Sequence, residues 1–209
     1  ASTASNSNGK WIWNTETGVI NGINPDAPLI DLGRGYNFAN AGTINVQGDG
    51  SVAISGGTTS YTVQLVNSGT INVGTEQGKA DGSNGEGLIG IKGNGSATTI
   101  NNTKDGVINV YADNSWAFGG STKAIVNNGI INLLCNIGCE IYAPNTTGTR
   151  NSQDGTADII VPVASATPGQ GNVPAAPVNA VSQQKLTNYT IGTNSDGSSG
   201  TLKANNLVI

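Results

Sequence analysis

Residues 106–133 read GVINVYADNSWAFGGSTKAIVNNGIINL, and they open and close on one string: Gly106-Val107-Ile108-Asn109-Val110, then Gly129-Ile130-Ile131-Asn132-Leu133. Between the two copies lie two short strand-like pieces, Ser115–Phe118 and Lys123–Val126, joined by Asp, Asn, Ser and Gly, the residues that turns require. The string also stands at Gly18-Val19-Ile20-Asn21, Gly42-Thr43-Ile44-Asn45-Val46 and Gly69-Thr70-Ile71-Asn72-Val73, so the steps from glycine to glycine are 24, 27, 37 and 23 residues. Gly200-Thr201-Leu202-Lys203 reads as a degenerate further copy. The unit between Gly42 and Asn67 divides in the same way, into Thr43–Gln47, Ser51–Ser55 and Tyr61–Val66.

Three short strands per repeat predict an all-β chain folded as a right-handed, three-faced parallel β-helix (β-solenoid). One coil cannot bury its own apolar side, whereas stacked coils share a continuous core. Successive side chains of a strand point to opposite faces. Ile44, Ile71, Ile108 and Ile131 are therefore expected as one inward column, and Val46, Val73, Val110 and Leu133 as a second. Asn45, Asn72, Asn109 and Asn132 then point outward, where stacked amides bond to one another as in cross-β ladders. Further asparagines precede most copies, at Asn40, Asn67, Asn101-Asn102 and Asn127-Asn128. They are read as corner residues that tolerate the left-handed region and bond nearby backbone.

The 37-residue step contains an insertion, Gly74–Gly87, made almost entirely of turn formers and charges; it reads as a loop thrown out from one corner. Ala143–Gly155 reads as a second loop. Coils are expected over residues 1–160, with the insertion at 74–87. A Pro/Ala-rich extended spacer follows over 161–185, where Pro162, Pro168, Pro174 and Pro177 fall, and strands resume over 186–209. The chain begins at Ala1 without any methionine, which predicts a processed or excised piece. It closes on the apolar Asn206-Leu207-Val208-Ile209, which predicts continuation beyond Ile209, since a solenoid needs a polar cap.

Composition narrows the chemistry. Charged residues make up 11%, while Gly contributes 31 residues and Asn 28 of 209, a poor mixture for helices. A net charge of −4 argues against nucleic acid as a partner. With no histidine, Ser-His-Asp and Cys-His sites and histidine-bound metals are excluded. No cofactor or metal is expected. Cys135 and Cys139, four positions apart, suggest a small-loop disulfide of an oxidising compartment, with two buried thiols as the alternative.

These Asn-x-Gly-Thr-Ile-Asn-Val repeats with Gly/Asn/Ser/Thr-rich corners resemble the passengers of type V autotransporters, above all the AIDA-type and self-associating adhesins. The stretch Asn188–Gly197 is similar to passenger text ahead of the membrane barrel. The resemblance covers residues 11–160 well and 186–209 moderately. It implies export through the periplasm, an outer-membrane β-barrel translocator in cis, and display at the bacterial cell surface. It also implies adhesion: cell aggregation and biofilm formation, or binding to host surface and matrix components, in a setting of virulence. The partner would be the same protein on neighbouring cells, or host glycans and extracellular matrix proteins.

Two candidate surfaces follow from the residues. The outward side of the Gly-x-Ile-Asn face offers Asn72, Asn109 and Asn132 at a regular rise, flanked late in the rod by Val107, Tyr111, Ile130 and Leu134. That apolar group is either a contact patch or the seat of a loop from 143–184. Lys92, Lys104 and Lys123 form a candidate cationic stripe for sulfated glycans or are scattered solubility charges. No catalytic residues are expected. A carbohydrate-active lyase or hydrolase, with carboxylates such as Asp105 paired with Asp81 or Asp113, and a passive structural stalk are the alternatives.

Overall fold

A computed structural model describes residues 10–23, 26–33, 35–56, 62–75 and 87–152, and beyond them strands at 157–160, 184–185, 189–191, 202–203 and 207–208. The chain winds through three faces in turn. The first coil comprises β1 (Trp11–Asn14), β2 (Val19–Ile23) and β3 (Pro28–Asp31); the second, β4 (Asn37–Asn40), β5 (Thr43–Gln47) and β6 (Val52–Ser55). The third comprises β7 (Val63–Asn67), β8 (Thr70–Val73) and β9 (Ile89–Asn94). Next come β10 (Thr98–Asn102), β11 (Val107–Val110) and the long β12 (Trp116–Asn127), then β13 (Ile130–Leu133) and β14 (Glu140–Tyr142). After these lie β15 (Thr147–Ser152), β16 (Ala157–Ile160), β17 (Gln184–Lys185), β18 (Tyr189–Ile191), β19 (Leu202–Lys203) and β20 (Leu207–Val208). Among the described residues every strand pairing is parallel and no helix occurs.

The sheets follow from the repeat. Face 1 is a seven-stranded sheet in the order β19-β16-β13-β11-β8-β5-β2, which is the Gly-x-Ile-Asn column. Face 2 stacks β3, β6, β9, the first half of β12, and β14. Face 3 stacks β1, β4, β7, β10, the second half of β12, and β15. β12 belongs to both, because Trp116–Ser121 pairs with β9 and Ala124–Asn127 with β10 and β15. The sequence reading split this stretch into two strands. The chain instead bends without a break, with a register irregularity between Ser121 and Ala124. Gly120, at φ 81°, sits just before that bend, in a conformation that suits glycine.

Register aligns the repeats residue on residue: Ile44 opposes Ile71, Ile71 opposes Ile108, and Ile108 opposes Ile131. All four are fully buried, as are Val46, Val73, Val110 and Leu133 beside them. Phe38, Leu65, Ile100 and Ile125 form the matching column on face 3. Ile54, Ile91, Phe118 and Tyr142 do so on face 2. The core is thus a stack of like side chains, each at full burial contributing about 1.5–3 kcal/mol.

The glycine of each repeat has a steric origin. A Cβ on Gly42 would stand 2.2 Å from the Gly18 carbonyl oxygen, on Gly69 2.1 Å from that of Gly42, and on Gly129 2.2 Å from that of Gly106. None of these glycines takes a positive φ. They are glycine because consecutive coils touch backbone to backbone at this corner.

Two expectations are corrected. Ala143–Gly155 is not simply a loop: after a short turn over 143–146, β15 occupies face 3 over Thr147–Ser152. Asn40, Asn67, Asn102 and Asn127 do not adopt the left-handed region, which among the described residues other than glycine is taken by Asp26, Asn114 and Asn145, although Asn40, Asn67 and Asn102 do bond nearby backbone as expected. The body of the 74–87 insertion lies outside the described residues. Its ends sit at the corner between faces 1 and 2, where Gly87 N–H donates to Asp49 Oδ1 and Gly50 N–H to the Gly87 carbonyl. The spacer over 161–183 also lies outside the described residues.

Cys135 and Cys139 are joined as a disulfide at this same corner, two coils further on, with Cα atoms 6.1 Å apart. The loop rests on the coil beneath it: Asp113 Oδ1 accepts the backbone N–H groups of Asn136 and Ile137 at 2.7 and 2.9 Å. Closing so short a loop limits the unfolded chain only modestly. Reduction is expected to lower stability by about 2 kcal/mol, read as a drop in the denaturation midpoint on adding a phosphine reductant. An unchanged midpoint would show that the corner is held without the bond.

Candidate functional site

Face 1 presents three outward columns. The middle one is the asparagine ladder. Each side-chain amide donates to the coil before it: Asn45 Nδ2 to Asn21 Oδ1 (2.6 Å), Asn72 to Asn45 (2.7 Å), Asn109 to Asn72 (2.8 Å) and Asn132 to Asn109 (2.8 Å). The ladder ends there, because the register partner of Asn132 in the next coil is Ile160. Each ladder amide carries two N–H donors and two oxygen lone pairs. One of each is consumed along the ladder at Asn45, Asn72 and Asn109, which leaves one of each for whatever lies against the face.

The flanking columns change character along the rod. On one side Val19, Thr43, Thr70, Val107 and Ile130 follow in register. On the other, Ile23 opposes Gln47, and Tyr111 and Leu134 come directly after β11 and β13. Val107, Ile130, Tyr111 and Leu134 are all half-buried and bracket Asn109 and Asn132, so the structure brings this predicted group together. Thr43, Gln47 and Thr70 make the same face polar in the middle coils.

The lysines do not form a stripe. Lys92 lies within β9 on face 2, and Lys123 at the bend of β12 between faces 2 and 3. Lys104 lies in the turn between faces 3 and 1. They are not in consecutive strands of one sheet, because the coil steps around the cross-section between them. The carboxylates are likewise apart: Asp105 and Asp113 stand in the turns at opposite ends of β11, and Asp113 is committed to the disulfide corner. Asp81 lies outside the described residues. Among the described residues no three His, Cys, Asp or Glu side chains come together as a metal site. Burial raises the carboxyl of Glu140, on face 2, above the usual glutamate value.

A second ladder escaped the sequence reading. Asn14, Asn40, Asn67, Asn102 and Asn127 end the face 3 strands in strict register, and all are buried. Asn14 Nδ2 donates to Asn40 Oδ1, Asn40 to Asn67 and Asn67 to Asn102, each at 2.8 Å, and Asn102 donates to Asn127 at 2.9 Å. The same Nδ2 atoms of Asn40, Asn67 and Asn102 also reach the carbonyls of Gly42, Gly69 and Gly106. This ladder lines the corner against which the glycine column packs. A signal was available, since each asparagine stands two residues after an inward side chain: Phe38, Leu65, Ile100 or Ile125.

Comparison with known proteins gives the lineage. The family model of the BigA fourth domain matches residues 1–138. The chain is 73% identical over 200 residues to the "Putative surface-exposed virulence protein BigA" of Salmonella typhimurium strain LT2. That match covers 96% of this chain and 10% of the relative, so the chain spans about a tenth of the length of the curated relative it matches. No solved structure matches. The family model spans residues 1–138 and the relative is 73% identical over nearly the whole chain, so the chain belongs to the BigA fourth-domain family.

Proposed function

We propose that this solenoid is an adhesion module of a bacterial cell-surface protein, with the outer side of face 1 as its contact surface. The observation that carries the reading is the row of half-buried amides, each with bonding capacity left over, set beside the apolar Val107, Tyr111, Ile130 and Leu134. The surface-exposed virulence protein with which the chain shares 73% identity supports display at the cell surface. Each hydrogen bond exchanged with a partner nets only about 1 kcal/mol, because water leaves both sides. A row of them, repeated over many copies per cell, gives avidity that no single contact has.

Self-association stands ahead of host binding, since a second rod with the same rise matches several amides at once. A sulfated glycan held by Lys92, Lys104 and Lys123 is disfavoured by their spread around the cross-section. The separated carboxylates favour a binding role over catalysis. Type V export through an outer-membrane β-barrel, and a part in biofilm formation, belong to this same proposal.

The test is display of the chain on a non-aggregating bacterium. Accelerated settling of displaying cells is the expected result. Unaltered settling combined with capture on immobilised matrix protein would transfer the proposal to a host partner, and neither response would reduce the segment to a stalk.

A further inference from the structure

The two asparagine ladders run in opposite directions. In the buried one each Nδ2 donates to the following coil, and in the outer one to the preceding coil. Their first members therefore end differently. Among the described residues no donor reaches Asn14 Oδ1 and no acceptor meets Asn21 Nδ2. The end of the rod thus offers an acceptor at the corner of faces 3 and 1 and a donor in the middle of face 1.

The same end is open in two other respects. β1, β2 and β3 are the terminal strands of their stacks, each paired on one side alone among the described residues. Ile12, which heads the inward column above the buried Phe38, is 42% exposed, whereas Phe38 in the next coil is 2% exposed. Residues 1–9 extend at most about 30 Å. That is enough for one strand, while a coil takes 23–27 residues in this repeat. They cannot cover β1 and β2 together. The matched relative is about ten times longer than the aligned region, so the matched segment of that protein is part of a much longer polypeptide.

We propose that this N-terminal end seats one more β-coil, contributed by polypeptide preceding residue 1, whose asparagines donate to Asn14 Oδ1 and accept from Asn21 Nδ2. A coil of the same repeat meets both demands at once, because its own ladders carry the same two polarities. The segment is then an internal length of a longer rod whose core and ladders run through the junction, rather than a separate bead. This inference is independent of what the rod binds.

The experiment compares hydrogen exchange in the chain as given and in the same chain extended by its native upstream residues. Stacking slows the edge amides of β1 and β2 by about 100-fold in the extended form, while β8 and β11 stay as they were. Asn21→Asp keeps the oxygen that Asn45 uses but replaces the outward donor with an acceptor. It is expected to speed β2 exchange by about 10-fold in the extended chain and to leave the shorter chain unchanged. Equal exchange of β1 and β2 in the two chains overturns the proposal, as does an extended chain indifferent to Asn21→Asp. Slow, concentration-dependent exchange in the short chain, together with sedimentation as a dimer, also overturns it by assigning the end to a second copy.

Discussion

Asn67→Ala is expected to cost about 3 kcal/mol, because it leaves Asn40 Nδ2 and Asn102 Oδ1 facing each other across a gap inside the protein. A buried polar group stripped of its partner loses about 1–3 kcal/mol, and this substitution strips Asn102 Oδ1 and leaves Asn40 Nδ2 with its bond to the Gly42 carbonyl but one hydrogen unmet. Asn67 is fully buried, so water does not reach them. Asn72→Ala removes the equivalent rung of the outer ladder, where water replaces it, and should cost about 1 kcal/mol. The contrast between the two values, measured from denaturant midpoints at constant slope, is the informative quantity. Equal costs would mean that the inner ladder contributes no more than the outer one.

Gly69→Ala should be at least as damaging, at about 3 kcal/mol or more, although it adds one methyl group. The new Cβ would lie 2.1 Å from the Gly42 carbonyl oxygen and 2.6 Å from the Ala41 carbonyl carbon. These are backbone atoms, so no side chain can swing away. The coil spacing is fixed at the same place by the Thr70 N–H bond to Gly42 at 2.9 Å. Relief requires splaying two coils and losing that bond. Gly33→Ala is the control: it has open space around it but a φ of 60°, and strain alone should cost about 1–2 kcal/mol. If Gly69→Ala costs no more than Gly33→Ala, the coils part to admit the methyl group and the backbone contact is not what fixes glycine there.

The face that repeats most faithfully was the most legible in the sequence. Gly-x-Ile-Asn fixed the register, the two inward columns and the outward ladder of face 1, since alternation leaves no other assignment once Ile44 is placed inside. The corners were harder. A corner asparagine has two physical roles, a left-handed turn or an inward hydrogen-bonded side chain, and local sequence does not separate them. Only the register of Asn40 on Asn67 on Asn102 does so. β16 falls inside the coils expected over residues 1–160 but was not recognised as a copy of the repeat, because it carries Ile160 where the repeat has asparagine. The lysines misled for a related reason. Spacing along the chain does not give position around a three-sided coil until each corner's length is known, and corner lengths vary most at the 74–87 insertion.

The candidate surface was legible as a list of residues and only partly as a surface. Val107 and Ile130 are neighbours by register, as alternation requires. The bonding of the ladder amides to one another was expected from their register, and its direction, each Nδ2 donating to the coil before, comes from the side-chain geometry. It weakens each amide as a binding group and leaves the row, rather than any one residue, as the unit of recognition.

The most direct measurement is therefore settling of cells that display the chain with Asn109→Lys, Asn132→Asp and Tyr111→Lys combined. Fold would be checked by circular dichroism, and display by surface labelling. Opposite charges on adjacent rungs keep the net change small and let the ladder positions pair with each other, while the contact surface of coils four and five is rebuilt. Settling that falls to the level of cells carrying no display is the predicted result. Settling equal to that of the unaltered chain, at equal display and with the fold intact, would contradict the assignment of adhesion to face 1.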